Sequence, residues 1–204
     1  MKTLQIRKLI LTLISVLFIQ ISFAQGYQVG DKAIGFNLKN VDGTMVSDAN
    51  FPDTKGFIVI FTCNHCPFSV AYEDRIIAID KKYKTQGYPV IAINPNDSIV
   101  APADSYSNMI IRAREKGFTF PYLLDADQSI TNTYGSTRTP HVFLLKKNKG
   151  NLIVEYIGAI DDNHEDAAAV KKEFLSDAVD ALLKNRQPEV NFTKAIGCSV
   201  KFAK

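Results

Sequence analysis

One run constrains this chain more than any other: "FIVIFTCNHC", residues Phe57 to Cys66. The apolar residues Phe57 to Phe61, followed by Thr62, predict a central strand covered on both faces. Next come Cys63 and Cys66, two of only three cysteines in 204 residues. Past them Val70, Ile76, Ile77, Ile79 and Tyr83 fall mostly on one face, which predicts a helix from about Asn64 to Tyr83, closed by Gly87. Pro89 to Ile93 reads as another buried strand, stopped by the turn Asn94-Pro95-Asn96-Asp97. Strand, helix and strand in this order demand parallel pairing through a crossover.

The flanking segments complete the pattern. Gly35 to Lys39 and Thr44 to Val46 bracket the turn signal Asp42-Gly43, so a short β-hairpin precedes the central unit. Ser105 to Lys116 reads as a helix, Tyr122 to Leu124 as a strand and Gln128 to Tyr134 as a short helix. His141 to Leu145 and Leu152 to Ile157 flank a polar turn and form a second hairpin, which demands antiparallel pairing. Val170, Phe174, Ala178 and Leu182 make one apolar stripe on a last helix, from about Glu165 to Leu183. The expected fold is α/β, a mixed sheet with helices on both faces. Residues 27–186 form its one domain, and 187–204 a tail without periodicity that carries Cys198.

The first 24 residues stand apart. Lys2, Arg7 and Lys8 precede the apolar and Ser/Thr run Leu9 to Ile19, and Ser22-Phe23-Ala24 ends in a small residue. This is the pattern of a secretory signal peptide cut after Ala24, and it predicts a periplasmic or secreted protein. The segment holds three basic residues and no acid, so the net charge of +3 falls to 3 − 3 = 0 when it is removed. A neutral chain offers no electrostatic case for nucleic acid as a partner. In an exported protein disulfides persist, but three cysteines are too few for a disulfide scaffold.

Cysteines three apart at a helix start lie on one face, with Cβ atoms roughly 5–6 Å apart, against about 3.5–4.5 Å in a disulfide. A small adjustment closes and reopens the bond. Unpaired N–H groups at such a start favour the thiolate. The reading therefore makes Cys63 the exposed nucleophile at the helix N-terminus and Cys66 the deeper thiol that resolves its mixed disulfide. His65 is placed to support the thiolate, and Pro67 suits a first turn.

Four further stretches carry a resemblance: "VGDKAIGFNLKNVDG", "FTCNHCPFSVAYEDRI", "FPYLLDADQSITNTYGSTRTPHVFLL" and "YIGAIDDN". Over Tyr27 to Leu183 the chain resembles the thioredoxin superfamily, and within it the peroxiredoxin-like branch related to alkyl hydroperoxide reductase and thiol-specific antioxidant proteins. The resemblance implies a thioredoxin-like fold and a redox-active Cys63–Cys66 disulfide as the sole redox group, with no metal. It implies a cis-proline at Pro140, and a Thr139 backbone offered to an extended substrate. Protein thiols and disulfides, or a membrane or periplasmic redox partner, are the implied partners. Asn64 lies between the cysteines; Arg138, Glu73 and the third thiol, Cys198, are further candidates.

The chain also departs from its relatives. Thioredoxins carry a buried Asp six residues before the first Cys, and Phe57 stands there. The peroxiredoxin motif P-x-x-x-T-x-x-C would put Cys at 65, where the chain has His65. A thiol–disulfide oxidoreductase is the first expectation, an antioxidant thiol peroxidase the second. A copper or zinc carrier using Cys63, Cys66, His65 and His141 is the third.

Overall fold

The structure, a computed structural model, describes residues 26–204; the signal-peptide expectation lies outside the described residues. Among these no helix is long and apolar enough to cross a membrane. The strands are β1 (Lys32–Ala33), β2 (Asn37–Asn40), β3 (Met45–Ser47), β4 (Gly56–Phe61), β5 (Val90–Asn94), β6 (Tyr122–Leu124), β7 (Arg138–Thr139), β8 (His141–Asn148), β9 (Asn151–Gly158) and β10 (Cys198–Ser199). The α-helices are α1 (Pro67–Tyr83), α2 (Tyr106–Lys116), α3 (Ser129–Tyr134) and α4 (Phe174–Leu183).

Eight strands make one sheet in the order β1-β9-β8-β4-β5-β6-β2-β3, while β7 and β10 form a separate pair. β4 pairs in parallel with β5 and antiparallel with β8, so the sheet is mixed. Every residue of β4 is buried, as its unbroken apolar run demands. Alternation then sorts the side chains. Ile58 and Ile60 pack with Tyr72, Ile76 and Tyr83 of α1, Met109 of α2 and Leu175, Val179 and Leu182 of α4. Phe57, Val59 and Phe61 face the other way, onto Phe36, Phe143, and Ile130 and Tyr134 of α3. Each such large side chain contributes about 1.5–3 kcal/mol when fully buried. Both faces thus carry helices, and β2–β3 adds the expected N-terminal hairpin.

Two helix starts differ from the sequence expectation. α1 begins at Pro67 with Cys66 as its N-cap, three residues later than Asn64. Proline has no N–H to give and its fixed φ suits the first helical position, so it sets the boundary. The last helix begins at Phe174, not near Glu165. Arg75 of α1 holds the Asn163 and His164 carbonyls at 2.5 and 2.8 Å. Asp166 caps a single 3-10 turn, Ala167–Ala169, and Val170 sits in extended backbone.

The tail is ordered by pairing. Ile157 of β9 bridges Phe192, with backbone hydrogen bonds from Ile157 N–H to Asn191 and from Thr193 N–H to Ile157. The chain then crosses to β7, where Cys198 stands opposite Thr139 and Ser199 opposite Arg138. Beyond β10, the Lys201 carbonyl accepts hydrogen bonds from Asp97 N–H and Gln128 Nε2.

Candidate active site

β4 and β5 are parallel neighbours, so their carboxyl ends open on the same edge of the sheet. That edge is where ligands collect in open α/β sheets. The turn after β4 carries Thr62 to Cys66, and the loop after β5 carries Asn96 to Asp104. On the other flank β7 brings Thr139, and the Thr139–Pro140 bond is cis, as the resemblance implied.

The three elements meet at two sulfurs. Cys63 Sγ lies 3.4 Å from Thr139 Oγ1, and Cys66 Sγ lies 3.1 Å from the Thr139 carbonyl oxygen. Cys66 Sγ donates to that carbonyl and so sits there as the thiol, whereas Cys63 Sγ can accept from the Thr139 hydroxyl as a thiolate would. The two sulfurs titrate as a pair, each being the largest influence on the other; burial and the charge of Asp104 work against charge on Cys63, and the Thr139 hydroxyl works for it. Cys66 is the N-cap residue of the helix, but its side chain makes no capping hydrogen bond.

Cys63 is 3% exposed and Cys66 is 1% exposed, so Cys66 is the deeper thiol, as expected, while Cys63 is buried rather than exposed. The helix starts one residue after Cys66, at Pro67, so Cys63 precedes its first turn.

Asp104 is the residue that sequence reasoning missed. It is fully buried in a 3-10 turn, Pro102–Asp104, just ahead of α2. One carboxylate oxygen accepts from Asn64 N–H at 2.8 Å. The other accepts from Asn96 Nδ2 at 2.6 Å and lies 2.7 Å from His65 Nδ1. Asn64 is held further, donating to the Ala103 carbonyl and accepting from Tyr122 Oη. The loss of the thioredoxin-type Asp at 57 therefore leaves a buried carboxylate at this site, brought from another loop. The hint lay in its address, since the loops after neighbouring parallel strands converge.

The remaining candidates separate. Glu73 is buried; Arg112 grips it through Nε at 2.6 Å and Nη2 at 2.7 Å, with Lys116 Nζ at 3.3 Å. It is a structural ion-pair partner, held away from the sulfur chemistry for which it was a candidate. Arg138 is exposed and donates to the Gly197 carbonyl, so it holds the tail. His141 is buried and burial lowers it to about 4; its Nδ1 has no hydrogen-bond partner. Among the described residues, one cluster has metal-ligand reach: atoms of Cys63, His65 and Asp104 lie within 4.8 Å of one another. His141 is not in it, so the ligand set of the carrier reading is not assembled.

The edge of Thr139 also differs from expectation. The resemblance offered it to an extended substrate, but β10 of the chain's own tail occupies it. The fit depends on Gly197, where any Cβ would overlap the Thr139 carbonyl. Cys198 is thereby set opposite Thr139, the residue that both sulfurs of the pair touch.

The Redoxin family model matches residues 28–172. The thiol-disulfide oxidoreductase ResA of Bacillus thuringiensis (strain Al Hakam) is 26% identical over 136 residues, 64% of this chain and 70% of that protein. A crystal structure of an uncharacterized conserved protein from Geobacillus kaustophilus aligns with a TM-score of 0.79 at 32% identity, covering 87% of this chain and 93% of that one. Peroxidoxin BcpB from Mycobacterium tuberculosis shares the fold, with a TM-score of 0.53 at 16% identity over 64% of this chain and 84% of that chain. The chain belongs to the Redoxin family.

Proposed function

We propose that the protein is an exported thiol–disulfide oxidoreductase that works through Cys63 and Cys66. The observation that carries this reading is the pair of hydrogen-bonded sulfurs between a helix N-terminus and Thr139. Its likeness to ResA, a thiol-disulfide oxidoreductase, supports the reaction class.

In the forward step the Cys63 thiolate, accepting from the Thr139 hydroxyl, attacks a sulfur of the substrate disulfide, forming a mixed disulfide and releasing one substrate thiolate. Cys66, the deeper thiol, gives up its proton and attacks Cys63 Sγ. The Cys63–Cys66 bond forms, the second substrate thiolate leaves, and the pair has delivered two electrons. Run backwards, the same steps oxidise a dithiol. His65, ordered by Asp104, stands where it can exchange protons with the leaving sulfur. Asn64 and Thr139 hold the loop and the sulfurs in place. The basic and apolar run of the first 19 residues supports export, with protein thiols and disulfides of that compartment as substrates.

The test is adduct mapping with a disulfide probe that releases a coloured thiolate. The Cys66→Ser variant should accumulate a stable adduct on Cys63, faster than Cys63→Ser accumulates one on Cys66. The wild type should end with a Cys63–Cys66 bridge that dithiols reduce. A wild type that never forms this bridge would remove the reading.

A further inference from the structure

Among the described residues β7 has one strand partner, and it is the tail. The antiparallel register sets Cys198 opposite Thr139, whose hydroxyl meets Cys63 Sγ and whose carbonyl accepts from Cys66 Sγ. A cysteine therefore stands where an extended segment on β7 would offer its sulfur to the pair. In the reduced chain it is a thiol, and it gives Cys63 no disulfide to attack.

The position before it is closed to side chains. A Cβ at 197 would overlap the Thr139 carbonyl and crowd the Pro140 nitrogen, so glycine is the residue that fits. Thr139 is fully buried and its carbonyl holds Cys66 Sγ at 3.1 Å, so that backbone cannot draw back without losing the contact. The hold on the tail itself is thin. Of residues 196–200 only Val200 is buried. Beyond the two-residue strand, the grip is hydrogen bonds. Val200 N–H donates to the Thr137 carbonyl, Lys201 N–H to Asn96 Oδ1 at 2.8 Å, and Gln128 Nε2 to the Lys201 carbonyl at 3.0 Å. A segment with so little apolar burial opens at low cost. Both sulfurs of the pair are buried, so a protein substrate needs a segment that moves.

We propose that Gly197–Val200 is a built-in stand-in for the substrate: a protein disulfide reaches Cys63 by displacing it and laying an extended Gly-Cys segment along β7 in the same register. The inference rests on the reading that Cys63 forms the mixed disulfide, and it names the substrate class: protein or peptide disulfides whose attacked cysteine follows glycine. The incoming strand regains the backbone hydrogen bonds that the tail gives up. Its cysteine then lies opposite Thr139. The Cys63 thiolate attacks that sulfur, the bond from Cys63 to the substrate forms, and the substrate S–S bond breaks. The far sulfur leaves with the electron pair. A larger residue before the cysteine meets the Thr139 carbonyl and loses the register.

The experiment uses the full chain with three disulfides. One is the small coloured probe; the others are the peptides Ile-Gly-Cys-Ser-Val and Ile-Val-Cys-Ser-Val, each with the coloured thiol linked to its cysteine. Relative to their rates with free cysteine, the glycine peptide should release colour about tenfold faster than the valine peptide. Gly197→Val and Gln128→Ala loosen the tail at different ends. Each should speed the glycine peptide about tenfold more than the small probe, which forms no strand. Equal rates for the two peptides would overturn the register, and a peptide rate that neither variant raises would overturn the displacement. Equal acceleration of peptide and small probe would make the tail a plain cover and overturn the substrate likeness. Each of these leaves the oxidoreductase reading intact. If the small probe leaves no adduct on Cys63 in the Cys66→Ser protein, the underlying reading fails instead.

Discussion

His65 Nδ1 lies 2.7 Å from Asp104 Oδ2, and this contact ties the turn that carries the cysteines to the loop after β5. The same carboxylate, itself fully buried, takes the Asn64 N–H and the Asn96 amide. Asp104→Asn would turn an N–H₂ group towards at least one of these donors. The expected cost is roughly 1–3 kcal/mol, read as a lower denaturant midpoint. The charge of Asp104 also raises Cys63, so in the variant Cys63 should become alkylated at lower pH than in the wild type. An unchanged midpoint would show that the carboxylate does not join the two loops.

His141 titrates the other way. Burial lowers its folded-state value to about 4, below the ordinary value of 6.5. The unfolded chain then binds this proton more tightly, so protonation favours unfolding. The folded state keeps its full advantage above about pH 6.5 and loses it as pH falls through 4, by up to about 3 kcal/mol. His141→Phe should lack this loss. The gap between variant and wild type should widen as pH drops through that window, checked by denaturant titration at each pH. Parallel curves would refute the assignment.

Glu73 should matter to the fold and not to the sulfur chemistry. Glu73→Ala leaves the Arg112 guanidinium and Lys116 without their buried partner. Removing one side of such a pair costs about 3–5 kcal/mol, seen as a lower denaturant midpoint. The rate of thiol exchange at the cysteine pair should be unchanged; a loss of rate without loss of stability would give Glu73 a part in the sulfur chemistry.

Much of the fold was legible because its signals are local and dense. The run Phe57 to Phe61 could only be a strand covered on both sides, and Cys63 and Cys66 announced chemistry by their spacing. Lys149-Gly150, both at positive φ, is a two-residue turn of the kind that closes a hairpin, and it sits between β8 and β9 as expected. The start of α1 was also written in the sequence, since Pro67 marks a first helical position. Starting the helix at Asn64 placed that boundary three residues early. Asp104 was hidden for another reason: it stands far from the cysteines in sequence, and only the parallel pairing of β4 and β5 brings it back. The tail was silent because a strand of two residues is too short to show alternation. Residues 165–173 misled because their apolar spacing suits a helix, while Arg75 and Asp166 hold the backbone otherwise.

The Gly197–Val200 strap has a consequence for handling the molecule. With it gone, the amide and carbonyl of a two-residue strand would lie open beside two oxidisable sulfurs, a ready seat for a second chain. Preparations clipped ahead of residue 197 would then cross-link in air into covalent dimers, whereas the intact chain protects itself with its own backbone.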